Sequence, residues 1–225
     1  MAEEKEAQTT SEKLGGFIGK NKKIFIAVLI VLICALAGYI VASTLINKAT
    51  AKDLQAIDEI TYTLTKDSST IDEAEIELRR QTALEQASAY VSKGGIAGAR
   101  ANMLCADIAY QQKKYAESAD FWKAAAEKSK KSYIAPLCYF NLAVCSEETG
   151  NNADATAYYK LAADNKNFVM RTHAMFSYAR LLEANGNYAD AAATYTELND
   201  SFSGDAWANL AKSRLIALKK DGKIE

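Results

Sequence analysis

Proline is almost missing: Pro136 is the single one among 225 residues, and glycine occurs only 11 times. A sandwich or barrel of many short strands needs more of both at its turns, so the scarcity points to helices. Histidine is as rare, with His173 alone. One histidine leaves no His-based metal site and no partner set for a Ser/His/Asp triad, and it reads as a partly exposed helix residue. Excess positive charge is also absent. The formal net charge is −1, and residues 47–225 hold 22 basic against 24 acidic side chains, which argues against a nucleic-acid face. Gly94, Gly95 and Gly98 lack the Lys-Ser/Thr of a phosphate-binding loop and follow no strand. Carboxylates such as Glu147 and Glu148 fall on predicted helix faces in water. No enzymatic centre, cofactor or metal is expected.

What the chain does have is one long apolar run. Residues 24–46 read IFIAVLIVLICALAGYIVASTLI, 23 residues without a charge. A helix of that length spans about 34 Å, enough to cross a hydrocarbon core of about 30 Å with some tilt. Lys20, Lys22 and Lys23 precede it, and Lys48, Lys52 and Asp53 follow it. That bias predicts a cytoplasmic N-terminus and a domain on the outer side. A cleavable signal peptide would use Ala35-Leu36-Ala37 as its cleavage site, and a lipoprotein signal would use Cys34. Both leave residues 38–46 as an unexplained apolar stub, so a retained anchor is the expectation. The polar residues 1–23 are predicted to be a short disordered tail.

The remaining chain repeats itself. Three segments align: ANMLCADIAYQQKKYAESADFWKAAAEKS from Ala101, PLCYFNLAVCSEETGNNADATAYYKLAADN from Pro136, and THAMFSYARLLEANGNYADAAATYTELND from Thr172. Each predicts a helix, a tight turn and a second helix. Cys105–Ala106, Leu142–Ala143 and Tyr178–Ala179 take equivalent places in the first helices. Ser118, Ala155 and Ala191 do so in the second helices, followed by Trp122, Tyr159 and Tyr195. Small residues allow close helix approach, and the aromatics fill the space between hairpins. Equivalent positions recur 37 and 36 residues apart. Gly150 and Gly186 mark two turns, while the first turn reads Lys113-Lys114-Tyr115.

The fold class predicted is all-α: one transmembrane helix followed by an α-solenoid. Residues 47–95 form a helical linker or N-terminal cap, with helices over 50–65 and 70–92, the latter opened by a Thr70/Glu73 capping box and closed by Gly94-Gly95. Three repeats follow at about 99–132, 136–169 and 172–205. Residues 205–225 form a capping helix that ends at Gly222, with Lys219 and Lys220 in its last turn.

These hairpins resemble the tetratricopeptide repeat family, best in GNYADAAATY and KKYAESADFW. The proline that family carries at each repeat's end is missing. Tail, anchor and repeats together resemble the ancillary subunits of the SecYEG translocon, single-pass inner-membrane proteins with a periplasmic repeat domain. KLGGFIGKNKKIFIAVLIVLI and GIAGARANMLCADIAYQQKKYAES carry that likeness. The resemblance implies protein partners, either a secretion channel or periplasmic chaperones and unfolded clients. Flagellar and secretion apparatus also use anchored repeat proteins, which leaves a structural subunit as the second reading.

In this family the first helices line a concave groove. Carrying the register over places Met103, Asp107, Tyr110 and Gln111 there from repeat one. Repeat two supplies Phe140, Asn141, Val144, Glu147 and Glu148, and repeat three Phe176, Arg180 and Glu183. Met103, Phe140 and Phe176 are equivalent and form an apolar stripe, which is either a ligand groove or a core covered by the helix at 70–92. Cys105, Cys138 and Cys145 are an odd set. Cys138 and Cys145 lie about 10 Å apart on one helix and cannot bridge each other. A bond from Cys105 to either of them and three buried thiols both remain open.

Overall fold

The computed structural model describes residues 10–225, and the side chains of residues 15–225. Ten helices and no strand occur among the described residues, as an all-α chain requires. Contacts divide the chain into two units, Met1–Ala51 and Lys52–Glu225.

The first unit contains α1 (Thr10–Lys20) and the greater part of α2 (Lys22–Thr65). Residues 10–20 are thus helical where a disordered tail is expected; residues 1–9 lie outside the described residues. Asn21 interrupts the two helices. Its side-chain Nδ2 and backbone N both donate to the Phe17 carbonyl, at 2.9 and 3.1 Å. The Phe17 and Phe25 rings then meet edge-on at 6.0 Å. Within α2 an 18-residue window has a mean hydropathy of 3.1, and none of it is buried inside the protein. By length and composition this helix can cross a membrane. The Thr44 hydroxyl donates to the Ile40 carbonyl at 2.8 Å, a local bond within the helix that satisfies it. The separate helix expected at 50–65 is instead the last part of α2, because no glycine or proline separates it from the apolar run.

In the second unit, the end of α2 is followed by α3 (Glu73–Val91), α4 (Gly95–Gln111), α5 (Tyr115–Lys128), α6 (Ala135–Glu148), α7 (Asn152–Ala163), α8 (Arg171–Ala184), α9 (Tyr188–Ser201) and α10 (Ala206–Lys220). From α3 onward each helix packs on its chain neighbours, and α10 also touches α8. This is a solenoid of antiparallel hairpins α4–α5, α6–α7 and α8–α9. The expected capping box does not form. Asp72, not Thr70, caps α3, its carboxylate accepting from Glu75 N at 2.8 Å. Thr70 sits a turn early and donates to Asp67 O instead. Gly94 is the N-cap of α4, so the glycine pair opens that helix rather than closing α3.

Close approach within each hairpin rests on small residues. Ala106, Ala143 and Ala179 are fully buried, as are Ser118, Ala155 and Ala191 opposite them. Ser118 differs in carrying a hydroxyl, which donates to the Ala106 carbonyl at 2.8 Å and so bonds α5 to α4. Trp122, Tyr159 and Tyr195 are buried behind these residues. The three turns share one hydrogen-bond pattern, a 6→1 bond over a residue at positive φ. Lys114 N bonds Ala109 O at 2.9 Å, Asn151 N bonds Ser146 O at 2.8 Å and Asn187 N bonds Leu182 O at 2.9 Å. The positive-φ residues are Lys113, Gly150 and Gly186.

Helix α10 is laid out as a first helix without its partner. It is held by buried Ala208, Ala211 and Leu218, while Asn209, Lys212 and Ser213 face solvent. Asp205 caps it, accepting from Trp207 N at 2.7 Å.

Candidate functional site

The first helices α6, α8 and α10 carry a repeated polar ladder. Near the C-terminus of α6, Glu147 accepts from the Tyr159 hydroxyl of α7 at 2.7 Å, and both its carboxylate oxygens accept from Arg180 Nη2 on α8, at 2.6 and 2.8 Å. One repeat further, Glu183 of α8 accepts from the Tyr195 hydroxyl of α9 at 3.0 Å and from the guanidinium of Arg214 on α10. Each carboxylate thus joins its own second helix to the next first helix. Repeat one breaks the pattern. Tyr110 occupies the glutamate's place and donates to Glu148 Oε1 at 3.4 Å, and Trp122 replaces the phenol.

The ladder sets the ionisation of its members. Burial alone would raise the Glu183 carboxyl, but hydrogen bonds from Arg214 and Tyr195 outweigh it, and the group is held below its ordinary range. Burial, then the neighbouring glutamate, pushes the Tyr159 and Tyr195 phenols up, so both stay neutral donors. Asp107 is exposed on α4, yet the protein around it displaces part of its water. Desolvation pushes it up to about 6.

All the residues expected to line a groove lie on first helices. Asp107 and Gln111 are exposed on α4, with Met103 and Tyr110 half-buried. On α6, Asn141, Val144 and Glu147 are half-buried and Glu148 is exposed. On α8, Arg180 is exposed and Phe176 and Glu183 are half-buried. Gln111 accepts from Arg80 of α3 at 3.2 Å, and Asn141 donates to Leu137 O of its own helix. The structure brings Glu147 and Arg180 together, and spends both on each other.

The apolar stripe is not uniform. Phe140 is only 5 % exposed, enclosed by Tyr159, Phe168 and His173 with ring centroids at 5.4, 6.2 and 4.8 Å. The helix expected to cover the stripe does not do so, since α3 packs on α4 through Ala83 and Ala87. His173 stacks on Trp207 at 3.8 Å with the planes 8° apart, which makes it an aromatic wedge between α6 and α10. Burial, then the Arg180 charge, lowers its pKa. Phe176 is half-buried beside Trp207 and Tyr195. Next to it lies a cleft of about 570 Å³ lined by Arg180, Glu183, Tyr188, Arg214 and Lys223.

Among the described residues no three His, Cys, Asp or Glu side chains gather as a metal site. The three cysteines of the second unit are free and buried. Burial pushes Cys105 and Cys138 up to about 11, and Cys145 donates to Ser118 Oγ at 3.3 Å.

Arg214, Tyr159 and Tyr195 were missed as polar-ladder members by the sequence reading, which placed the tyrosines only as packing. The signal was present, because Glu147/Glu183 and Tyr159/Tyr195 both recur at a spacing of 36 and Arg180/Arg214 at 34.

The sequence profile of the tetratricopeptide repeat family matches residues 166–206, the stretch that holds α8 and α9. A relative described as a TPR repeat-containing protein, from Treponema pallidum (strain Nichols), is 34 % identical over 139 residues, 62 % of this chain and 58 % of the relative. The chain therefore spans a little over half the length of that relative. No solved structure matches. Repeats of this family generally mediate protein–protein interactions, and α8–α9 is the hairpin that resembles them.

Proposed function

We propose that this chain is a membrane-anchored scaffold whose solenoid holds a protein partner at the outer face of the cytoplasmic membrane. The observation that carries the reading is the coexistence of two surfaces. One is an 18-residue window of α2 with mean hydropathy 3.1 and no burial inside the protein. The other is the row of first helices α4, α6 and α8, on which Asp107, Gln111 and Arg180 are exposed. Lysines at positions 20, 22 and 23 support an N-terminus in the cytoplasm. The concave face, with Met103, Tyr110, Val144 and Phe176 half-buried along it, suits an extended or helical peptide.

The resemblance to ancillary translocon subunits makes the secretion channel, a periplasmic chaperone or an unfolded client the partner of first choice. Crosslinking in intact cells, detergent extraction and mass spectrometry of the full chain test this. Channel subunits or chaperones at variable ratio support it. Components of one other envelope machine at constant ratio would replace it with the structural-subunit reading.

A further inference from the structure

In the second unit the helices alternate in direction, so the α3–α4, α5–α6 and α7–α8 connections fall on one edge. Side-chain contacts link them in sequence. Lys93 Nζ pairs with Asp53 Oδ2 at 3.2 Å, which fixes the first connection beside the point where the chain enters the unit. A Cβ built on Gly98 would meet both the Lys93 carbonyl, at 1.8 Å, and Lys128 Cδ, at 3.0 Å. Lys130, Lys131 and Tyr133 of the next connection share a cleft of about 320 Å³ with Asn165 and Asn167 of the third.

This edge has an unusual chemistry. From Lys128 to Ile134 there are three lysines and no carboxylate, although residues 47–225 are net acidic. Among the described residues no carboxylate pairs with Lys130, Lys131 or Lys166. Tyr133 is 86 % exposed and Val169 96 %, at the tips of the two connections. Neither packs on the core clusters. On the opposite edge, Lys113 and Lys114 lie instead beside Glu73 and Glu77.

We infer that this edge rests on an anionic lipid surface, with Lys130, Lys131 and Lys166 at the phosphates and Tyr133 and Val169 at headgroup depth. The inference rests on residues 24–46 spanning the membrane. Asp53 follows residue 46 by seven positions, and seven residues reach at most about 25 Å. The covalent link therefore bounds the distance between the hydrocarbon boundary and Asp53, beside which the first connection lies. Lysines attract an anionic surface within roughly a Debye length, and tyrosine favours the interface through its polar tip on an apolar ring.

The test is hydrogen exchange on the full chain reconstituted in vesicles of phosphatidylcholine alone or mixed with phosphatidylglycerol. Residues 129–134 and 164–170 should exchange about tenfold more slowly with the anionic lipid, and high salt should abolish the difference. Residues 112–115 should not respond. The triple variant Lys130→Glu, Lys131→Glu, Lys166→Glu should lose the protection while keeping its helical circular dichroism. Insertion without anionic protection overturns this inference and leaves the anchor intact. Protection that needs added envelope proteins, in either lipid, overturns it in favour of a protein-binding edge. Extraction of the chain by alkaline carbonate overturns the anchor itself.

Discussion

Glu147 and Arg180, 33 residues apart in the chain, meet through two hydrogen bonds of 2.6 and 2.8 Å that tie α6 to α8. Glu183 and Arg214 repeat the arrangement one hairpin on. The carboxylates are the more enclosed partners, at 24 % and 13 % side-chain exposure against 44 % and 47 % for the arginines. Removing Glu183 strands a buried tyrosine hydroxyl and a guanidinium, whereas removing Arg214 leaves a carboxylate still bonded to Tyr195. Glu183→Ala should therefore cost about 1–2 kcal/mol, and Arg214→Ala about 0.5 kcal/mol, since half-exposed pairs are screened. Urea denaturation of both variants checks the order, and equal losses would contradict it.

The same carboxylate gives an acid-side dependence. Its folded pKa lies below the ordinary value of 4.5, so its stabilisation is complete above that pH and fades as pH falls through the folded value. Glu183→Gln should flatten the stability curve below pH about 4.5 and change its shape little at neutral pH. An unchanged acid limb in the variant would show that other carboxylates dominate.

Lys113 has φ 59°, where the two later turns use Gly150 and Gly186. A side chain in this left-handed region is strained, and glycine relieves it without touching a neighbour. Lys113→Gly should stabilise the protein by about 0.5–1 kcal/mol. Gly186→Ala, with nothing within 4 Å of the added Cβ, should cost about the same for purely conformational reasons. Thermal melting of the two variants gives the signs directly.

The hairpins were legible because their signals are local: small residues at the close contacts, an aromatic four positions on, a glycine at two of three turns. The apolar run was legible by composition alone. The ladder was harder, because its arginines sit on the helix after the glutamates they bind and the first repeat lacks it. The fate of Phe140 was not legible at all. Its cover comes from Phe168 in the α7–α8 connection and His173 of the next repeat, which only the packing of α8 on α6 and α7 brings over it. Nor did sequence separate Asp72 from Thr70 as the α3 cap, since both are good capping residues two positions apart.

That packing separates the stripe's members by experiment. Phe140→Ala opens a cavity among three rings and should cost about 3–5 kcal/mol, whereas Phe176→Ala, half-buried at the cleft, should cost about 1–2 kcal/mol. An aspartate at 140 would unfold the solenoid, so it reports nothing about binding. Phe176→Ala, Asp107→Lys and Gln111→Ala are the substitutions that probe the concave face. Loss of partner crosslinks is the expected outcome, with an unchanged melting curve for Asp107→Lys and Gln111→Ala and only a small shift for Phe176→Ala.

Cys105, Cys138 and Cys145 are buried thiols held in the neutral form. The neutral thiol is a poor nucleophile. All three should resist maleimide in the native protein and react together once denaturant is added, and reductant should leave the melting temperature unchanged. A reductant-sensitive melt would reveal a bridge that this packing does not contain.

His173 makes the solenoid's stability depend on pH above the carboxylate range. Its ring lies between Phe140 and Trp207, and burial there, with the Arg180 charge, holds its pKa below the ordinary imidazole value of 6.5. The unfolded chain consequently binds a proton more readily than the native one. Stability should be fully present above pH about 6.5 and decline as pH falls from there toward the folded value, then level off. His173→Phe keeps an aromatic ring in the stack and removes the titration. The Asp107 carboxyl, pushed up to about 6, titrates in the same window in both proteins, so the readout is the difference: between pH 8 and pH 5.5 the parent's denaturation midpoint should fall relative to the variant's. Parallel declines would mean that protonation elsewhere drives the change, and that the His173–Trp207 stack tolerates a charged imidazole.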